Sequence, residues 1–226
     1  MKHGMKKAVV LAFAALLMPA VASAHPHMWI SQGVRVVTKD GKYTHVEIEW
    51  KFDPESSEDE IPAIDEDKDG KFSEQEIKLL VRDMMPELQK FGFMTWLNTG
   101  GKDFHPTNLP TFSARIDDPP TFTPTDWDRS EGHRDGMPMP PNKQAELPAQ
   151  PPKHSPRNLV YTMRFELPQP VKSFSITTYD PDDFMRFEVD KTKVPAGCKL
   201  AKHPTRKSEF VPGHPVFADT VSCKLP

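Results

Sequence analysis

The 226-residue sequence lacks several features that would point to familiar functions. It contains only two cysteines, Cys198 and Cys223, which lie 25 positions apart, so it has no Cys-x-x-Cys redox pair and no strong cysteine metal motif. It has no excess of positive charge, because its formal net charge is −3. This balance argues against nucleic acid or an anionic membrane surface as a partner.

Common catalytic motifs are also missing from the chain. There is no Gly-x-Ser-x-Gly, no His-Glu-x-x-His and no phosphate-binding glycine loop. Because these motifs are missing, we predict that the protein is not an enzyme.

No repeat of 20 to 50 residues is visible, which excludes a solenoid.

The first residues have the pattern of a secretory signal peptide. Lys2, Lys6 and Lys7 precede an apolar run from residue 8 to residue 18, and the small-residue site Ala22-Ser23-Ala24 follows. We expect residues 1–24 to be removed in a periplasmic compartment, which changes the net charge from −3 to −6 through the loss of three lysines. The run is shorter than the roughly twenty residues of a membrane span, so the processed protein is not expected to be membrane-inserted.

The two cysteines are expected to form one structural disulfide, because an oxidising compartment favours pairing them. In that case their Cα atoms should lie within about 7 Å of each other.

Alternating residues predict a mainly antiparallel, sandwich-like α+β fold. Residues 25–104 supply a first hairpin, a loop and a helix, and residues 158–226 supply a C-terminal β block that packs with them as one domain. In the second strand the predicted core residues are Thr44, Val46, Ile48, Trp50 and Phe52, and the predicted solvent-facing residues are Tyr43, His45, Glu47, Glu49 and Lys51. The helix carries apolar residues at three- and four-residue spacing from Ile77 to Phe91, and Pro86 is expected to kink or break it.

Residues 105–157 are expected to be a long disordered insertion. Twelve of the chain's 25 prolines fall in these 53 residues, among polar and charged residues. His133, His154 and Met137-Pro138-Met139 could bind a soft metal such as Cu(I), but we interpret them as incidental residues of a solvated linker.

The sharpest chemical motif extends from Asp65 to Glu76. In the numbering of a twelve-residue EF-hand loop, the predicted calcium ligands are Asp65, Asp67, Asp69, the carbonyl of Lys71, Ser73 and the bidentate Glu76. Gly70 stands at the position of the sharp turn. A solvated acidic loop followed by a Ser73/Glu76 capping box is the alternative, but calcium alone explains the aspartates and the glycine together.

A regular entering helix is not expected before this loop, because Pro62 and several acidic residues precede it. No second loop of this kind occurs, so a calcium ion here should be structural. Its affinity should lie in the weak range of extracellular modules, roughly 10⁻⁴ to 10⁻³ M.

The expected mature N-terminus, His25-Pro26-His27, is a second candidate metal site. The free amine and the ring of His25 can chelate one ion, and a further imidazole would complete a nitrogen site for copper, nickel or zinc. His27 is the first candidate for that imidazole, and His45 and His105 are alternatives. A short polar lead into the first strand is the competing interpretation.

Together these residues resemble an uncharacterised family of secreted bacterial proteins described as the periplasmic component of an ABC-type transport system. The shared motifs are His25-Pro26-His27-x-Trp29-Ile30, Trp50-x-Phe52-Asp53, Asp65-x-Asp67-x-Asp69-Gly70, Phe91-Gly92-Phe93, Tyr179-Asp180-Pro181 and Gly197-Cys198. The resemblance covers residues 25–104 and 158 to about 200, and the proline-rich insertion departs from it. It implies a role near an inner-membrane permease for nickel, cobalt or zinc.

The sequence thus favours a periplasmic metal-binding accessory protein of a transition-metal transport system, with a structural calcium loop and a copper, nickel, cobalt or zinc site at its N-terminus. Two other function classes stay open. One is a copper monooxygenase with an N-terminal histidine brace, which would need an open copper position. The other is a purely structural, calcium-stabilised interaction module, which would leave the His-Pro-His start unexplained.

Overall fold

The computed structural model describes residues 28–122, 156–211 and 213–226, which form two β-sheets and two α-helices. The predicted signal peptide, His25, His27, His133 and His154 lie outside the described residues. Among the residues described, no helix is both long enough and apolar enough to cross a membrane.

Each sheet has five strands. The first has the order β5 (Thr111–Asp117), β6 (Asn158–Val171), β2 (Lys42–Phe52), β1 (Met28–Lys39) and β8 (Met185–Val189). The second has the order β4 (Lys102–Phe104), β3 (Thr95–Thr99), β7 (Ser173–Thr178), β10 (His214–Lys224) and β9 (Cys198–Val211). Neighbouring strands are antiparallel except β1 and β8, so the predicted mainly antiparallel β fold is confirmed.

The apolar core joins both sheets. The alternation along β2 buries Val46, Ile48, Trp50 and Phe52 as predicted, because every second side chain of a strand points to the same face. The second sheet contributes inward-facing residues to the same cluster: Leu97, Phe174, Ile176 and Val221. Strands from both sides of the predicted insertion therefore share one core.

The predicted pattern of β2 is wrong at Tyr43. It was expected to face solvent, but it is buried and its ring lies edge-on to Phe174 with centroids 5.1 Å apart. The register of β2 shifts against both neighbouring strands at this point, between Val37 and Thr38 on β1 and between Tyr43 and His45 on β2. Since a one-residue shift exchanges the two faces of a strand, the irregularity moves Tyr43 into the core.

The polar face of β2 is also more buried than expected. Glu47, Glu49 and Lys51 are at most 9% exposed. Glu49 contacts Lys193, Arg115 and Arg35 at 2.6, 3.1 and 3.2 Å. Charged side chains can be covered in this way because each one has partners of opposite sign. The side chains that the alternating pattern predicts to face water are therefore covered by their ion-pair partners.

Two α-helices flank the predicted calcium loop. The first, α1, spans Pro54–Ile64, so the expectation of no regular entering helix is wrong. Asp53 caps its N-terminus, Pro54 occupies its first turn, and Ile61 and Ile64 are buried. Pro62 is tolerated because it removes only one hydrogen bond of the last turn.

The second helix, α2, spans Glu74–Lys90 and continues through Pro86. The sequence therefore predicted the helix correctly, but Pro86 does not divide it into two. Short 3-10 helices follow at Gly92–Met94 and at Lys191–Lys193.

Part of the predicted insertion is folded. Residues 111–117 form β5, an edge strand paired with β6 from Thr111↔Arg164 to Asp117↔Asn158. The expectation of disorder for all of residues 105–157 is thus wrong for this strand, whose own residues contain no proline. Residues 123–155 of the insertion lie outside the described residues.

The predicted disulfide is confirmed. Cys198 and Cys223 are paired across β9 and β10, and their Cα atoms are 4.2 Å apart. Such a bond is typical of proteins from oxidising compartments.

Candidate metal-binding site

The loop between α1 and α2 contains most of the predicted calcium ligands. Asp65 caps the C-terminus of α1, and its N–H donates to the carbonyl of Ile61 at 2.9 Å. The carboxylate of Asp65 then turns into the loop, where it accepts hydrogen bonds from the N–H groups of Asp69 and Gly70, both at 3.1 Å. Asp65 is only 5% exposed, so the loop folds around this side chain.

The backbone of the loop turns sharply at two left-handed residues. Lys68 has φ 60° and Gly70 has φ 81°. A Cβ added at Gly70 would meet no atom within 4 Å. Glycine is therefore favoured here by the backbone conformation and not by lack of space, as the predicted loop motif requires.

Glu76 closes the loop from the first turn of α2. Its backbone N–H is accepted by the hydroxyl of Ser73, and its carboxylate accepts the N–H and the hydroxyl of Ser73, both at 2.8 Å. Its other oxygen accepts the N–H of Glu66 at 2.8 Å. The N–H and hydroxyl of Ser73 hold the pKa of Glu76 below its usual value, so this side chain is a carboxylate at neutral pH. The capping box is thus present, as one of the two interpretations of the sequence predicted.

Three of the predicted ligands converge. Asp65, Asp67 and Glu76 each offer a carboxylate oxygen, and these oxygens lie within 4.8 Å of one another. In the described ranges this is the one group of three or more histidine, cysteine or acidic side chains arranged in this way. Within those ranges no lysine, arginine or histidine pairs with any of the three.

The chemistry of this cluster suits a hard cation. Carboxylate oxygens are the preferred ligands of calcium and magnesium, and each carboxylate retains acceptor positions beyond the loop hydrogen bonds. Three negative charges within a few ångströms repel one another unless a cation is bound. The donor set therefore fits calcium and does not resemble the nitrogen and sulfur sites of copper, nickel or zinc.

The remaining predicted ligands have other contacts. Asp69 lies outside the cluster and accepts the N–H of Lys71 at 2.8 Å. Ser73 is bound to Glu76 as the cap of α2. The hydrogen bonds of Asp69 and Ser73 match those of an acidic loop with a capping box, and only Asp65, Asp67 and Glu76 form the cluster.

His45 lies too far from the start of β1 to be a ligand of the predicted N-terminal metal site. The predicted ligands His25 and His27 precede Met28, the first residue of β1. His45 pairs with Val37, nine residues along that strand, which corresponds to roughly 30 Å. Three residues before Met28 reach about 10 Å at most.

His105 is exposed and lies between β4 and β5. Its Nδ1 lies 2.8 Å from the carbonyl of Thr95, and its ring packs on Trp96 with centroids 4.5 Å apart. Since a carbonyl oxygen only accepts, Nδ1 donates this hydrogen bond, and Nε2 is the ring nitrogen that could bind a metal. Gly92 makes this placement possible, because a Cβ there would lie 2.2 Å from Nδ1. His105 therefore has the chemistry of a single nitrogen ligand.

Asp53 belongs to the shared motif Trp50-x-Phe52-Asp53, but the sequence did not predict its structural role. It is 5% exposed, and it caps α1 while also accepting the N–H of Trp29 at 2.9 Å. The sequence Asp53-Pro54-Glu55 carried a usable signal, because a capping aspartate followed by proline at the first helical position is typical of helix starts.

The chain matches a known family model. The model of a family described as "Protein of unknown function (DUF1007)" matches residues 10–211. No curated protein and no solved structure matches the chain.

Proposed function

The chain belongs to the DUF1007 family, whose function is unknown. From its sequence motifs and the geometry of its acidic loop, we propose that it is a periplasmic metal-binding accessory protein with an EF-hand-like calcium site at residues 65–76. The observation that carries the calcium site is the convergence of Asp65, Asp67 and Glu76 between two helices. The helix before the loop strengthens the proposal, because an EF-hand is a helix, a twelve-residue loop and a second helix.

The calcium ion is proposed to be structural. Bound to this loop, it would supply positive charge between the end of α1 and the start of α2. The shape of the loop comes from the protein itself. The hydrogen bond from Gly70 to Asp65 stabilises the turn, and Ser73 orients the carboxylate of Glu76. Because no second loop of this kind occurs in the sequence, cooperative switching between paired EF-hands is not part of the proposal.

Calcium-dependent thermal stability tests this site. Ten millimolar calcium should raise the melting temperature of the processed protein, whereas Asp65→Ala and Glu76→Ala should remove the increase. Glu74→Ala is the matched control, since Glu74 lies on the same helix end with its side chain 94% exposed. An equal calcium response in Glu76→Ala and Glu74→Ala would show that the loop does not bind the ion.

The proposed accessory role concerns a transition metal at the start of the mature chain. It is supported by the His25-Pro26-His27 sequence and by the resemblance to transport-associated secreted proteins. It is also supported by the disulfide, which suits a periplasmic protein. The amine and ring of His25, with the ring of His27 or His105, would bind copper, nickel, cobalt or zinc for an inner-membrane permease.

Substitution at the N-terminus tests this role. His25→Ala should abolish tight binding of Cu(II), Ni(II) and Zn(II), and one extra residue before His25 should weaken binding nearly as much, because it moves the amine. His45→Ala is the matched control and should bind like the wild type. Equal binding by all variants would remove the transition-metal role. Copper binding with substrate-dependent oxygen consumption in the presence of a reductant would favour a monooxygenase instead.

A further inference from the structure

Helix α1 connects the calcium loop with the first residues of β1. At its C-terminal end, the capping residue Asp65 is also the first residue of the loop. At its N-terminal end, the capping residue Asp53 contacts the start of β1. The helix is 11 residues long, so a change in its stability affects both ends.

Asp53 holds the helix start and the strand start with one carboxylate. Its Oδ1 accepts the N–H of Ser56 at 2.9 Å. Its Oδ2 accepts the hydroxyl of Ser56 at 2.7 Å and the N–H of Trp29 at 2.9 Å. The main chain adds a reciprocal bond, because the N–H of Asp53 donates to the carbonyl of Trp29 at 2.9 Å. The carboxylate can keep this geometry only while the first turn of α1 is formed.

The same turn also holds the start of β6. The hydroxyl of Ser57 donates to the carbonyl of Asp53 at 2.6 Å and accepts the N–H of Leu159 at 2.9 Å. The side-chain amide of Asn158 donates to the carbonyl of Phe52 at 2.8 Å. Ser57 and Asn158 have no exposed surface. The N-terminal turn of α1 is thus where β1, β2 and β6 meet.

Helix α1 is weak by itself. Isolated helices shorter than about 12 residues are marginal in water, and α1 also contains Pro62. Its last turn has no basic residue, and Asp65 and Glu66 place negative charge at the negative end of the helix dipole. A cation bound to Asp65 would reverse this unfavourable interaction. The stability of α1 should therefore depend on calcium more than the stability of the sheets does.

We propose that calcium bound at the loop acts through α1 and Asp53 to fix the start of β1, so that calcium controls how firmly the beginning of the mature chain is held. This inference rests on the proposed calcium site. Trp29 follows His27 by two positions, so the segment held in this way adjoins the proposed transition-metal residues.

Amide hydrogen exchange resolved by residue tests the coupling in the processed, full-length protein. If the opening that exposes the N–H of Trp29 also disrupts the loop, 10 mM calcium should slow its exchange by the factor 1 + [Ca²⁺]/Kd. That factor is about 10 to 100 for a Kd of roughly 10⁻³ to 10⁻⁴ M. The N–H of Leu159 should slow as well, whereas that of Thr220 in β10 should change less.

Two substitutions separate the coupling from calcium binding itself. Asp53→Ala removes the link to Trp29, and Asp53→Asn keeps one oxygen to cap α1 if the alanine variant fails to fold. In either variant calcium should still protect residues 66–71, but the gain at Trp29 should fall below about threefold. Asp59→Asn, an exposed change on the same helix, should keep the full gain.

The outcomes distinguish this inference from the calcium proposal. A calcium-binding Asp53 variant with the full gain at Trp29 would overturn the coupling, and so would an equal gain at Trp29 and Thr220 in the wild type. A wild type without any calcium-induced protection in residues 66–71 would instead overturn the calcium site.

Discussion

The hairpin of β9 and β10 and the loop between α1 and α2 are held together by different means. In the hairpin, the Cys198–Cys223 bond adds a covalent link at the end of two strands that are already paired from His214↔Val211 to Cys223↔Cys198. In the loop, three carboxylates face one another with no cationic side chain paired to them among the described residues. We therefore expect the hairpin to be stable once it is oxidised and the loop to depend on the proposed calcium ion.

Because of this difference, we expect the stability of each region to depend on a different solution condition. The hairpin should respond to redox conditions and the loop to calcium, and neither should respond to the agent that affects the other. An oxidising compartment such as the periplasm would supply the redox condition that the hairpin requires.

Loss of the disulfide should have the largest effect. The loop-closure relation for a separation of 25 residues gives about 3 to 4 kcal/mol of stabilisation. A variant with Cys198→Ser and Cys223→Ser should lose about this free energy of unfolding in urea denaturation. Ser222→Ala, an exposed change beside Cys223, should stay within about 0.5 kcal/mol. Equal stability of the two variants would show that the covalent link is not what stabilises the hairpin.

Calcium should have the next largest effect. With a Kd of roughly 10⁻³ to 10⁻⁴ M, 10 mM calcium should add about 1.4 to 2.7 kcal/mol to the free energy of unfolding. The increment should be the same, within about 0.5 kcal/mol, in the wild type and in the double-serine variant, because distant sites act additively. Denaturation of both proteins with calcium and with chelator measures this. A larger discrepancy would mean that the two regions are coupled.

Acid should have the smallest of these effects, and Glu49 on β2 is a carboxyl group outside both regions through which it should act. Burial raises the pKa of Glu49, but the hydrogen bond and charge of Lys193 and the charge of Arg115 more than offset it, so the pKa lies below its ordinary value. A carboxyl with a lowered pKa contributes stability above its unfolded pKa and loses it as pH falls through the folded value. We therefore expect stability to decrease below about pH 4.5, the ordinary pKa of glutamate.

The variant Glu49→Gln should show a shallower loss of stability between about pH 5 and pH 3 than the wild type in chelator. Glu166→Gln is the control, since Glu166 is exposed on neighbouring β6. If the free energy of unfolding falls equally with pH in Glu49→Gln and in the wild type, other carboxylates cause the acid sensitivity.

Local patterns predicted a large part of the fold. Strict alternation identified β2 and β6, and three- and four-residue spacing identified α2. These signals are local because the periods of strands and helices are set by backbone geometry. The expected oxidising compartment and the presence of only two cysteines were likewise enough to predict the Cys198–Cys223 bond.

The elements that were missed depend on distant contacts. Pro62 and acidic residues obscured α1, which has a local cap at Asp53 but also depends on burial of Ile61 and Ile64 in the core. The prolines around β5 obscured an edge strand that pairs with β6. The parallel pairing of β1 with β8 joins segments more than 150 residues apart, and no local pattern encodes it.

The candidate site was predicted in part. The EF-hand spacing predicted that Asp65, Asp67 and Glu76 lie close together, and their carboxylate oxygens do. Asp65 and Asp67 lie in the loop itself, and Glu76 belongs to the capping box that follows it. The spacing did not predict that Asp69 bonds to Lys71 outside the cluster, because that contact depends on the side-chain conformation of one residue. The N-terminal site, with His25 and His27, remains a prediction.

Calorimetric titration of calcium into the processed protein tests directly whether the loop at residues 65–76 binds this ion. We expect one calcium ion per chain, with a Kd of roughly 10⁻⁴ to 10⁻³ M, and loss of that binding in Glu76→Gln but not in Glu74→Gln. The absence of a binding signal at 10 mM calcium, or the same affinity in Glu76→Gln as in the wild type, would contradict it.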